Sequence, residues 1–257
     1  MAEPIAANNN LEKEEIGYNN QAPGAGYNQG AAGAGYNHGA AGAGQLAPSA
    51  AAPAQRVIAN PGPLGLSAFA LTTFVLSLIN AGAGLDPNGP SQVVVGLAIF
   101  YGGLVQLLAG MWEFATGNTF GATAFASYGG FWMSFGAIFI PGFGILEGYM
   151  GADGKLDAGV LDQSLGIYLL GWTIFTAILL IASHRSNMGL VSLFFFLFIT
   201  FVLLSAGKFN ASTTCTRAGG VFGIITALIA WYNALCGLLT RESSYFVLPN
   251  PSLNRRA

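Results

Sequence analysis

The sequence predicts an all-α, polytopic membrane protein, and three observations carry that reading. Only 8% of the 257 residues are charged and 53% are apolar, with a positive mean hydropathy. A soluble domain needs many more charges on its surface. Long stretches carry no charge at all, such as Leu64–Leu85 and Phe114–Leu146, and about 20 apolar residues let a helix cross roughly 30 Å of hydrocarbon. Short polar breaks rich in Gly, Pro, Asn and Asp separate these stretches, as turns between helices require.

Other classes are disfavoured by the same composition. A net charge of -2 leaves no basic footprint for nucleic acid. Cys215 and Cys236 form neither a metal-ligand spacing nor a disulfide framework. The chain lacks His-Glu-x-x-His, Gly-x-Ser-x-Gly and a phosphate-cradling glycine loop. Neither an enzyme site nor a cofactor is therefore expected.

Residues 1–58 read as a disordered cytoplasmic tail. Tyr-Asn recurs at 18, 27 and 36 within a Gly-, Ala- and Asn-rich background, with too little apolar surface to offset the entropy of folding. An interaction or sorting tract is the alternative reading of the repeat. Met1 to Asn20 is polar and contains Glu12, Glu14 and Glu15, unlike a cleavable signal peptide.

A membrane domain of six spans is expected over 59–240, followed by a cytoplasmic tail over 241–257. Asn60-Pro61-Gly62-Pro63-Leu64-Gly65-Leu66 opens the first span. Its prolines fix φ and disfavour helix at the residue before each, which predicts a stiff, non-helical lead-in. Asn60 can offer its side-chain oxygen to the first free amides. Asp86–Pro90 reads as a tight turn. The second span is expected over about Val93–Trp112, with Glu113 at its end. The small residues Gly96, Ala98, Gly102, Gly103, Ala109 and Gly110 let helices approach closely. Asn118 reads as a cap or break before a third span over about Phe120–Pro141. An acidic loop over Glu147–Gln163 precedes a fourth span, about Leu165–Ser183. The fifth covers about Gly189–Ala206, and Lys208–Arg217 is expected as a polar loop. The sixth covers about Ala218–Leu239 and opens with the helix-packing pair Gly219 and Gly223.

Six spans place both termini on one side. That side carries Arg56, Arg185, Arg241, Arg255 and Arg256, against Lys155, Lys208 and Arg217 on the other. The balance favours cytoplasmic termini.

The spans hold a sparse series of neutral polar groups: Thr72, Thr73 and Asn80 in the first, Gln106 in the second, Asn118 and Thr119 beyond it, Tyr128 in the third, and Tyr232 and Asn233 in the last. Such groups either bond to one another across helices or line a path. Glu113 is ionisable near the hydrocarbon, which makes a functional role the first hypothesis. Its place at the helix end leaves an interfacial position as the alternative. Phe69, Thr73 and Asn80 share one helical face bordered by Thr72; from periodicity alone that face reads as packing. His184 reads as a solvated loop residue.

The heptapeptide at 60–66, with Phe100-Tyr-Gly-Gly, Gly117-Asn-Thr-Phe-Gly and Ser127-Tyr-Gly-Gly-Phe-Trp, resembles the acetate uptake transporter family, with Gly62 standing where that family usually has Ala. The resemblance covers about Ile58–Leu248, and Tyr245-Phe-Val-Leu-Pro249 looks like its fungal members. It implies six helices per subunit, a ring-shaped homo-hexamer and a path through each subunit. It also implies a hydrophobic constriction of Phe69, Tyr128 and Leu197, with Ala230 at a position that tunes substrate size. The expected solutes are acetate and related short monocarboxylates, moved across the plasma membrane with protons or as anions. Asn60, Thr72, Thr73, Asn80, Gln106 and Asn118 would supply neutral donors, and Glu113 is the candidate for proton coupling. Ammonia or ammonium export is one alternative; a non-transporting acetate sensor or receptor is the other.

Overall fold

In the computed structural model, residues 58–84 and 91–253 are described; the repeat tail and the turn expected at Asp86–Pro90 lie outside them. Six long helices form: α1 Gly62–Ala81, α2 Val93–Ala115, α3 Thr119–Ile138, α4 Ala158–Ala182, α5 Met188–Phe209 and α6 Thr213–Leu238. Five of them are long and apolar enough to cross a membrane. The exception is α3, whose Gly, Ser, Thr and Tyr residues lower its apolarity. Among the described residues only two isolated bridges stand outside helices, Met150 with Leu156 and Asn187 with Ser252.

Capping residues decide where the helices begin. Asn118, Asp157, Asn187 and Ser212 each accept a bond from the amide three residues on, at the starts of α3, α4, α5 and α6. Such caps satisfy amides that have no partner within the helix. Two boundaries expected from the sequence shift in consequence. The cap at Asp157 brings Asp162 and Gln163 into α4, and the cap at Ser212 brings Arg217 into α6. Lys208, expected in a loop, lies in the last turn of α5 and pairs with Asp162 at 2.7 Å.

The lead-in is also more helical than expected. Pro61 has helical angles, Gly62 and Pro63 already belong to α1, and the Gly65 amide bonds to the Pro61 carbonyl at 3.2 Å. Gly62 has no Cβ to meet the Pro63 ring, so the usual restriction before proline is relaxed. The Asn60 oxygen does accept from the Gly62 amide, at 2.9 Å.

Neighbouring helices pack in chain order and α6 returns to α1, with α3 and α4 meeting through side chains. Small residues make the close seams. A Cβ added at Gly220 would lie 2.7 Å from the Asn80 carbon and the Ser77 oxygen of α1. One at Gly102 would lie 2.6 Å from Thr72 Oγ1, and one at Gly129 would lie 2.9 Å from the Gly103 oxygen. The seam between α3 and α4 is built differently, by large rings. Phe131 meets Tyr168 and Trp172 at 5.9 and 5.1 Å between centroids. Aromatics also fill the centre, where Phe131 of α3 meets Phe201 of α5 at 5.4 Å. Gly220→Leu is therefore expected to abolish surface expression. A branched side chain cannot be placed against α1 backbone, and overpacking of this kind costs about 1–3 kcal/mol or more. Surface immunolabelling of intact cells, beside Ala218→Leu as a control at the adjacent half-buried position, measures it.

The segment after α6 is held against the bundle through residue 253. Tyr232 donates to the Pro249 carbonyl at 2.6 Å, and Asn250 bridges Asn233 of α6 and the Gly189 amide of α5. The Met188 amide bonds to the Pro251 carbonyl, and the Leu253 amide to the Ser186 carbonyl. Residues 254–257 lie outside the described part.

Candidate functional site

Three helices deliver the three residues expected at a constriction. Phe69 projects from α1, Tyr128 from α3 and Leu197 from α5, each 5% exposed or less. All three belong to one buried cluster that also contains Ala230 of α6. Phe69 and Tyr128 are in ring contact, with centroids 5.8 Å apart and planes tilted by 55°. Aromatic contact thus joins α1 and α3 inside the bundle at this level. Ala230 is wholly buried.

Tyr128 sits in a nest of rings that sequence reasoning missed. Trp172 and Phe175 of α4 lie 6.0 and 5.8 Å away, and Phe194 of α5 stacks at 6.5 Å. Its hydroxyl lies 2.8 Å from Thr176 Oγ1. Trp172, Phe175 and Thr176 fall at spacings of three and four, so one face of α4 carries them all. That spacing was available as a signal, but nothing local says which helix the face meets.

The neutral polar groups divide into those with partners and those without. Thr72 donates to the Ala68 carbonyl at 3.0 Å and lies beside Gly102. By contrast, Thr73 Oγ1, Gln106 Oε1 and Trp132 Nε1 are buried polar atoms with no hydrogen-bond partner among the described residues. Most buried polar atoms are paired, so each such atom calls for an explanation. Thr73 lies one turn from Phe69 on α1. Asn80 is half-buried near the other end of α1, where Gly220 of α6 approaches its backbone. The structure does not bring it to the constriction.

Asn60, Glu113 and Asn118 gather at the opposite end of α1. Glu113 is 4% exposed and lies inside the last turn of α2, so protein rather than solvent surrounds its side chain. Asn118 Nδ2 donates to Glu113 Oε2 at 2.7 Å, while Asn118 Oδ1 accepts from the Gly121 amide. Thr116 donates to the Glu113 carbonyl at 2.9 Å. The turn between α2 and α3 depends on Gly117, whose φ of +79° suits glycine. A Cβ at Gly62 would lie 3.0 Å from Asn60 Oδ1 and 3.4 Å from Glu113 Oε1. The glycine there leaves the carboxylate uncrowded. Gly121, where this cluster meets α3, is about 10 Å along the helix from Tyr128, seven residues at 1.5 Å each.

Two further features were not legible in sequence. Phe100–Val105 winds as a π-helix within α2, a device common at functional sites; it lies in the Phe-Tyr-Gly-Gly segment and adjoins Gln106. A cavity of about 130 Å³ lies under the 139–157 segment, lined by Ile138, Ile145, Tyr149, Leu161, Ser164, Leu165 and Tyr168. It is separate from the predicted site residues.

Long, largely apolar helices packed around a buried aromatic cluster define a class: a multi-pass α-helical membrane protein. The chain belongs to the GPR1/FUN34/yaaH family, whose profile matches residues 42–255. It is 56% identical over 192 residues to ammonia transport outward protein 2 of Saccharomyces cerevisiae, covering 74% of this chain and 65% of that one. It is 49% identical over 201 residues to acetate permease A of Emericella nidulans, covering 76% and 66%. The chain thus spans about two thirds of the length of these fungal relatives. Its fold matches a structure of the bacterial acetate channel SatP at a TM-score of 0.65 and 35% identity, over 76% of this chain and all of that one. The resemblance read from the motifs is borne out.

Proposed function

We propose that this protein crosses the plasma membrane six times and moves acetate and related short monocarboxylates through a path in each subunit. The observation that carries the reading is the buried contact of Phe69 and Tyr128 beside Leu197 and Ala230. It blocks the centre of a helix ring that is similar to an acetate channel and to an acetate permease. A carboxylate is rejected by hydrocarbon and needs a protein path. Neutral donors suit that path, because a solute must bind weakly enough to leave. Thr73 and Gln106 are the candidates nearest the constriction, with Asn60, Asn118 and Glu113 at one mouth. Thr72, with its own partner, supports the α1–α2 seam.

The sixth span of this proposal is α3, whose 20 residues reach about 30 Å. Its glycines and hydroxyls serve contacts with α2 and α4 rather than lipid. The termini lie in the cytoplasm, and six-fold assembly into a ring belongs to the same proposal. The protein acts without a cofactor and is not an enzyme.

Flux of labelled acetate into proteoliposomes tests the reading, with pH gradient and membrane potential varied independently. Acetate uptake above protein-free vesicles is the expected result. Ammonium export is the second reading, favoured by the relative named for outward ammonia transport; methylammonium flux in the same vesicles separates the two. Acetate binding without flux would mark a sensor. Deleting residues 1–50 is expected to leave acetate flux within about twofold of wild type, since polar tails contribute little to a fold. Normal surface amount without uptake would assign the tail a role in transport.

A further inference from the structure

Thr176 is wholly buried and has one proton to give. Its Oγ1 donates to the Trp172 carbonyl at 2.7 Å, and a carbonyl can only accept. Tyr128 must then be the donor in the 2.8 Å contact with Thr176 Oγ1. The phenol proton is thereby turned toward α4, and only acceptor lone pairs remain for a solute at the constriction. The groups packed on Tyr128 are Phe69, Trp172, Phe175 and Phe194, none of which carries a charge. Glu113 meets the start of α3 at Asn118 and Gly121, about two to three turns from Tyr128.

The geometry points to Thr176 as a positioning residue that holds the Tyr128 hydroxyl as an acceptor, so that the constriction passes the undissociated short-chain acid in preference to its anion. A carboxylate has no proton to offer and would face lone pairs across an apolar ring; the neutral acid donates its O–H to the phenol oxygen. Desolvating the acid is also far easier than desolvating the anion. Thr176 touches no solute in this account and acts through Tyr128. The inference rests on the reading of Phe69 and Tyr128 as the constriction.

The test is labelled-acetate accumulation in proteoliposomes at fixed, equal pH on both sides, with the potential set by a potassium gradient and valinomycin. Wild type moves no net charge with the acid, so accumulation is expected to be indifferent to the potential. Thr176→Val keeps the shape, removes the acceptor and frees the phenol proton for an anion. Accumulation should then follow the potential, rising about tenfold for an inside-positive step of about 60 mV. Thr176→Ser restores the acceptor and is expected to behave as wild type. Thr176→Cys, which keeps the volume and weakens the acceptor, carries the expectation of Thr176→Val if that variant expresses poorly. Wild-type accumulation that tracks the potential overturns the inference while leaving acetate transport intact. Measurable flux in Thr176→Val that stays indifferent to the potential also overturns it, and reduces Thr176 to packing. Absence of acetate flux in wild type would instead sink the transport reading. The hydroxyl assignment is then decided by ultraviolet resonance Raman: the tyrosine doublet should differ between wild type and Thr176→Val, and identical spectra would refute it.

Discussion

Phe69→Ala is expected to raise the lactate-to-acetate uptake ratio by about tenfold, since one methyl-sized difference in a fitted pocket is worth about 1–3 kcal/mol. The ring is 5% exposed and touches Tyr128, so its removal opens space between α1 and α3. Removing a buried Phe also costs about 3–5 kcal/mol of packing, which makes surface amount the first quantity to match. The ratio then isolates selection, because discrimination is a difference between two barriers in one protein. Leu197→Ala should shift the ratio in the same direction and by less, its side chain being smaller. Tyr128→Phe keeps the aromatic wall and should slow acetate without changing the ratio. A wild-type ratio in both alanine variants would place the path elsewhere and leave these residues as core.

Glu113→Gln is the second large effect. The carboxylate is buried at the α2–α3 turn and takes its bond from Asn118 Nδ2; Gln keeps the shape and an acceptor oxygen but removes the proton-binding group. If Glu113 passes protons to acetate at the mouth, the variant depends on acid already protonated in solution. Its uptake should then fall about tenfold for each pH unit above the acid's own pKa, a steeper loss than wild type. At acid pH the two should converge. Matching slopes at equal surface amount would make Glu113 a structural partner of Asn118. The loss of a charge-assisted bond still predicts a lower melting temperature in that case.

Much of the architecture was legible because a bilayer imposes simple rules. Charge-free runs of sufficient length marked the spans, and Asn118, as a cap before an apolar run, marked the start of α3. Glycine spacing at Gly219 and Gly223 foretold a close helix seam: a Cβ at Gly219 would meet Leu204, and one at Gly223 would meet Ser77. The misread boundaries share one cause. Asp162, Lys208 and Arg217 were placed in loops because they are charged, yet a charge within a turn or two of a helix end can reach water or a partner, as Lys208 reaches Asp162.

The candidate site divides the same way. The sequence by itself determined the class, an all-helical membrane protein of a family legible in its motifs, since local pattern and hydropathy are properties of one segment at a time. Only the tertiary structure decided that Glu113 is buried against Asn118, and that Asn80 stands apart from the cluster of Phe69 and Tyr128. It alone brought the Tyr128 hydroxyl against Thr176 Oγ1, for that contact joins residues 48 apart. The physical reason is that hydrogen-bond direction depends on every neighbour's remaining donors and acceptors. Those are known only once α3 and α4 face each other across their aromatic seam.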